Sequence, residues 1–115
     1  MAIETQVQRN IIGGLVARGA WYTKCNQTGR GRKGVPDLLC CYRGLFLAIE
    51  VKGDSGHVVS VYQVKELRDI RTAGGLAIVA RSWSDVKWVL DEIDADPLAV
   101  WGLQPVLPKL KVVAL

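Results

Sequence analysis

Asp37, Glu50 and Lys52 attract attention because apolar sequence surrounds them. Asp37 opens the run Asp37–Tyr42, Glu50 and Lys52 close the run Leu45–Lys52, and only Arg43-Gly44 separates the two runs. In a strand, residues two apart share a face, so Glu50 and Lys52 point to one side and Ile49 and Val51 to the other. If Arg43-Gly44 is a two-residue turn, Tyr42 opposes Leu45 and opposed residue numbers sum to 87. Asp37 and Glu50 satisfy the same sum. They become direct cross-strand neighbours with Cβ atoms about 5 Å apart, whereas a three-residue loop would turn Asp37 away.

Two uncompensated carboxylates at that distance repel. A divalent cation between them reverses the sign, and two oxygen ligands plus waters suit Mg²⁺ or Mn²⁺. Lys52, one pleat further along, is set to steer or deprotonate a water or to hold a phosphate oxygen. That constellation suits phosphodiester hydrolysis. An isolated Glu-x-Lys in a strand is more often a surface ion pair worth about 0.2–1 kcal/mol. Here Leu45 to Ile49 precede it without a break, so three charges close a hairpin that reads as buried, and function is the better compensation for their cost.

The charge distribution points to a polyanion. Residues 1–60 hold eight Lys/Arg against four acids, and residues 61–115 hold seven against seven. No acid lies between Glu4 and Asp37, while Arg9, Arg18, Lys24, Arg30, Arg32 and Lys33 do. Nucleic acid is the expected partner ahead of a membrane surface, with Arg30, Arg32 and Lys33 gripping its backbone; a plain solvated basic face is the alternative. The 115 residues, 50% apolar and 23% charged, fit one compact domain and exclude a disordered chain. No apolar run approaches the roughly 20 residues of a membrane span. The opening Met1-Ala2-Ile3-Glu4 carries an acid where a secretory signal would be basic. Cys25, Cys40 and Cys41 are odd in number and lack Cys-x-x-Cys spacing, so they read as structural in a reducing, cytoplasmic setting. In a strand, Cys40 and Cys41 would face opposite sides.

The elements that must position these residues follow from periodicity. Ile3, Val7, Ile11 and Leu15 form an i+4 stripe that predicts a helix over 3–18. Gly13-Gly14 inside it implies either close packing, against the sheet or another subunit, or a bend. Trp21–Asn26 reads as a short strand and 27–34 as a cationic glycine-rich loop, followed by the hairpin. Ser60-x-x-Gln63 has the form of a capping box opening a second helix, edged by Val64, Leu67 and Ile70 and ended by Gly74-Gly75. Leu76–Ala80 predicts a strand buried on both faces. Ser82 or Ser84 can cap a third helix running to about Asp94. The tail from Pro97, with three prolines and Lys109 and Lys111, reads as irregular with one strand at its end. The order predicts an α/β sandwich with a small mixed sheet.

At these residues the sequence resembles a known family. Pro36-Asp37, a gap of twelve, then Glu50-Val51-Lys52 is similar to the PD-(D/E)XK nuclease signature. Glu4 in a leading helix, Gly29 to Gly34 before Val35-Pro36-Asp37, Ser60-x-x-Gln63 and Ala73-Gly74-Gly75 before an apolar strand narrow the resemblance to the VRR-NUC (virus-type replication-repair) nucleases, over about residues 3–93. The resemblance implies a restriction-endonuclease-like fold, a small central mixed sheet flanked by helices. It implies Mg²⁺ or Mn²⁺ held by Asp37, Glu50 and the Val51 carbonyl, Lys52 as catalytic lysine, and Glu4 completing the metal shell, often through water. Gln63 would stand near the site to orient water, phosphate or Lys52. The implied activity is DNA cleavage, structure-selective on junction- or branch-type substrates, by a homodimer for which the Gly13-Gly14 helix and the apolar tail are candidate interface elements.

Bland roles compete at several positions. Gln63 can serve only the helix cap, and Glu4 only the helix N-terminus. His57, in the loop after Lys52, is more often incidental than an acid or base. Tyr62 and Trp21 can stack on bases or merely pack. The competing functional reading is a catalytically silent or partner-dependent nucleic-acid-binding module of the same fold.

Overall fold

The computed structural model describes residues 3–25, 31–53 and 58–97. The tail expectations beyond Pro97, Arg30 and His57 lie outside these residues. The chain begins with α1 (Glu4–Ala17), whose stripe buries Val7, Ile11 and Leu15; Ile3 stands ahead of the first turn and is exposed. The strand β1 (Trp21–Lys24) pairs antiparallel with β2 (Leu38–Tyr42), which pairs antiparallel with β3 (Leu45–Val51). The hairpin register is Tyr42↔Leu45 through Leu38↔Ile49, the register of a two-residue turn. Arg43 and Gly44 both have positive φ, +49° and +81°, the combination that makes a turn's twist match its strands. Arginine accepts this left-handed backbone at a cost that glycine avoids.

After β3 the chain crosses over through α2 (Val61–Thr72) to β4 (Leu76–Ala80), which joins β3 in parallel and completes the sheet order β1-β2-β3-β4. All five residues of β4 are buried, as a strand covered on both faces requires. The last described element, α3 (Trp83–Ala95), packs with α1 on one face. Val7, Ile11, Leu15, Val89, Leu90 and Ile93 meet Leu38, Leu47, Ile49 and Ile78 there. On the other face, Leu67 of α2 meets Ala48, Ala77 and Val79. The result is the expected α/β sandwich with a mixed sheet between helices. Cys40 is buried and Cys41 exposed, the alternation a strand imposes.

Two local details differ from the sequence reading. Ser82 occupies the N-cap of α3, but its hydroxyl meets that of Ser84, and the Asp85 carboxylate instead accepts from the Arg81 N–H. Of the glycine pair, Gly13 faces open space, while a Cβ on Gly14 would lie 2.4 Å from the Trp83 ring. Close packing within the chain therefore accounts for Gly14. Among the described residues no helix is long and apolar enough to cross a membrane.

Candidate active site

The parallel strands β3 and β4 end side by side at Val51 and Ala80, and the charged residues gather at that end. Continuing the hairpin register one residue past Leu38↔Ile49 sets Asp37 opposite Glu50. Asp37 lies just outside β2, and its Oδ2 accepts the Val51 N–H at 2.7 Å. Lys52 lies just past β3, yet its N–H still bonds to the Ala80 carbonyl at 3.0 Å, so the pleat carries through. Its Nζ is 3.7 Å from Glu50 Oε2.

Glu50 is the unusual member. Among the described residues it is one of two buried charged residues, at 2% exposure. Its Oε2 accepts from Gln63 Nε2 at 2.8 Å and faces Lys52, while its Oε1 is buried without a hydrogen-bond partner. Burial first, and the nearby Asp37 charge second, push its carboxyl up to about 9, against an ordinary 4.5. Glu4, exposed on the first turn of α1, adds a smaller upward push. Among the described residues no group of three or more His, Cys, Asp or Glu side chains converges. The donor set is thus the Asp37–Glu50 pair, with Glu4 contributing its field. A buried orphan carboxylate oxygen beside a second carboxylate is the donor chemistry of a hard divalent cation.

Gln63 completes the helix cap and also reaches the site, where its amide meets Glu50 rather than Lys52. The capping box is complete, with Ser60 N–H donating to Gln63 Oε1 at 2.9 Å and Gln63 N–H donating to Ser60 Oγ at 3.2 Å. The amide's other end holds Glu50. The cap fixes the side chain, and the fixed side chain orients the carboxylate.

The basic loop is less free than its composition suggests. Arg32 pairs with Glu66 of α2, Nε to Oε2 at 2.8 Å and Nη2 to Oε1 at 3.1 Å. Lys33 Nζ stands 5.1 Å from the centre of the Tyr62 ring. Gly34, at φ +86°, lies so close to the Tyr62 and Gln63 backbone that a Cβ would come within 2.3 Å of it. The 32–34 segment is therefore seated on the first turns of α2. Tyr62 and Trp21 are both exposed, at 54% and 61%.

Sequence reasoning missed two residues here. Glu66 sits on the buried side of a helix whose pattern marked only Val64, Leu67 and Ile70. Arg81, directly after β4, donates from Nη1 to the Gly53 carbonyl at 3.1 Å and so anchors the chain leaving Lys52. A basic residue at the carboxyl end of a parallel strand was the available signal for Arg81; Glu66 gave none. The apolar cavity of about 400 Å³ between the β2–β3 turn and the end of α2 lies at the opposite end of the sheet and is lined by no titratable side chain.

Neither a protein-family model nor a curated protein matches the chain. A solved structure described as a VRR_NUC domain superposes on it with a TM-score of 0.64, covering 84% of this chain and 98% of its own, at 27% identity. The fold is that of a VRR-NUC nuclease domain. The resemblance read from Asp37, Glu50-Val51-Lys52 and Ser60-x-x-Gln63 and the likeness in three dimensions thus agree. In this VRR-NUC-type fold, the carboxylate pair, Lys52 and Gln63 meet at the end where β3 and β4 terminate.

Proposed function

We propose that the protein is a metal-dependent nuclease that hydrolyses DNA phosphodiester bonds, with selectivity for branched or junction-type DNA. The observation that carries this reading is the Glu50 carboxylate, with one oxygen oriented by Gln63 and the other buried and unpartnered beside Asp37. Asp37, Glu50 and the Val51 carbonyl would hold Mg²⁺ or Mn²⁺, with Glu4 acting through water. When bound, such an ion activates water near neutral pH and neutralises charge on the phosphoryl oxygens.

The chain's own groups do the rest. Asp37 is locked by the Val51 N–H and Glu50 by Gln63, so neither carboxylate needs to reorganise when a phosphate arrives. Lys52, its side chain only 12% exposed, keeps its ammonium in a partly desolvated place where charge developing on phosphate is stabilised more strongly than in water. Water attacks phosphorus in line and gives up a proton to solvent, one P–O bond to sugar breaks, and the leaving oxygen takes up a proton from solvent water. The excess of basic residues in the first sixty positions favours a polyanionic substrate.

The test is cleavage of labelled four-way junction, flap, single-stranded and duplex DNA with Mg²⁺, Mn²⁺ or EDTA, comparing wild type with Asp37→Ala and Lys52→Ala. Metal-dependent cutting that both substitutions abolish is the expected result, with branched substrates cut faster than duplex. Binding without cutting under every condition would overturn the catalytic assignment in favour of a binding module.

A further inference from the structure

We propose that Glu66 is a positioning residue for substrate binding: its buried carboxylate presets the Arg32 guanidinium as a clamp for a backbone phosphate of the nucleic acid. The inference rests on the nuclease reading and deepens it.

Glu66 and Arg32 are an unequal pair. The Glu66 side chain is 7% exposed and that of Arg32 is 77% exposed, so one partner belongs to the interior and the other to solvent. The buried Glu66 carboxylate needs a charged hydrogen-bonding partner to offset its lost hydration, and Arg32 supplies it while leaving the rest of its own guanidinium in solvent. The contact is made side-on, through Nε and Nη2. A guanidinium has five N–H donors in a rigid plane, so both N–H groups of Nη1 and the second of Nη2 stay free to meet a second acceptor. An arginine already fixed by a carboxylate loses little side-chain entropy when it then grips a phosphate.

The location suits that task. Glu66 is three residues beyond Gln63 on α2, about 5 Å along the helix axis, and Gln63 holds Glu50. Arg32 therefore stands beside the carboxylate site, about one turn of α2 from the residue that holds Glu50. Gly34 lets the loop lie directly on the Tyr62–Gln63 backbone, which ties the position of Arg32 to the position of Gln63.

Loss of Glu66 is expected to act with an unusual sign. Removing an acid from a nucleic-acid-binding surface ordinarily tightens binding, because local positive charge rises. Glu66→Gln is expected to weaken binding instead, by about fivefold, because the clamp loses its anchor. The experiment is binding of a labelled DNA duplex in EDTA, titrated over salt concentration, with cleavage in Mn²⁺ measured alongside. Arg32→Ala is expected to weaken binding about tenfold and to reduce the slope of log affinity against log salt by about 0.9, one phosphate contact. The double variant is expected to bind no more weakly than Arg32→Ala alone. Arg32→Lys, which keeps the charge without the fork, covers the case of a poorly folded alanine variant and is expected to keep the slope while losing affinity. An unchanged slope in Arg32→Ala, or tighter binding by Glu66→Gln, would overturn the proposal and leave the pair as a loop staple. Wild-type protein that neither binds nor cuts DNA would instead remove the nuclease reading, and this inference with it.

Discussion

The two ends of the Gln63 amide contact different partners, so cap and site can be separated by substitution. Ser60→Ala removes the hydroxyl that caps the helix but keeps the backbone N–H that holds Gln63 Oε1, and is expected to cost about 1 kcal/mol in urea unfolding while cleavage stays within about threefold of wild type. Gln63→Glu keeps an acceptor for the Ser60 N–H but turns a second carboxylate toward Glu50. Its stability should fall modestly and its cleavage rate by about a hundredfold, a loss that Ser60→Ala does not share. The sequence announced Gln63 twice, through its spacing from Ser60 and through the family pattern. It offered no way to see that both roles are compatible, because that depends on the distance between α2 and β3. Glu50 invites a second comparison. Its carboxyl, at about 9 in the fold and 4.5 ordinarily, binds a proton more tightly when folded. The contribution of Glu50 to stability without metal is therefore full below about pH 4.5 and declines as the pH rises toward 9. Glu50→Gln removes this charge at nearly constant volume. By thermal unfolding in EDTA at pH 8, the variant is expected to exceed wild type by about 4 °C or more, the equivalent of about 1 kcal/mol. Added Mn²⁺ should raise the wild-type midpoint and leave the variant unmoved.

At the scale of elements, the hairpin was legible because its register is a local property. Arg43-Gly44 sets the turn, the turn sets the pairing, and the pairing carries to Leu38↔Ile49 and beyond it to Asp37 and Glu50. The burial of β4 was legible from composition. What escaped was contact between elements distant in sequence: Arg32 with Glu66, Arg81 with Gly53, and Gly14 with Trp83. No periodicity reports which helix will lie against a given glycine. The Gly13-Gly14 pair turns this into a test of helix packing. Gly13→Ala meets nothing within 4 Å and gains helix propensity, so it is expected to stabilise the fold by up to about 1 kcal/mol. Gly14→Ala gains the same propensity but drives a Cβ into the Trp83 ring, and overpacking of that kind costs about 1–3 kcal/mol. Denaturant midpoints of opposite shift for two adjacent glycines, with Gly14→Ala relieved by Trp83→Leu, would establish the α1–α3 contact in solution.

The whole molecule has two polar ends with opposite electrostatic logic. At the end where β3 and β4 terminate, like charges crowd, and burial resists the ionisation of Glu50. At the turn end, Asp94 near the close of α3 gathers unlike partners: the Tyr42 hydroxyl at 2.8 Å, the Arg43 guanidinium, and Arg18 at the C-cap of α1 at 2.7 Å. One carboxylate thus joins α1, the β2–β3 turn and α3. The Tyr42 hydroxyl first, then Arg43, hold the Asp94 carboxyl down at about 2, below its ordinary 3.8. A depressed carboxyl binds protons less tightly in the fold than in the unfolded chain. Its contribution is complete above about pH 3.8 and is lost as the pH falls toward 2. Asp94→Asn is therefore expected to lower stability at pH 6 and to flatten the acid limb between pH 4 and 2. It should leave the alkaline decline set by Glu50 in place, because the two groups stand at opposite ends of the sheet. Urea midpoints measured from pH 2 to 9 for wild type, Asp94→Asn and Glu50→Gln would read the two limbs separately. If Asp94→Asn changed the alkaline limb, or Glu50→Gln the acid one, the two ends would be coupled through the sheet rather than independent.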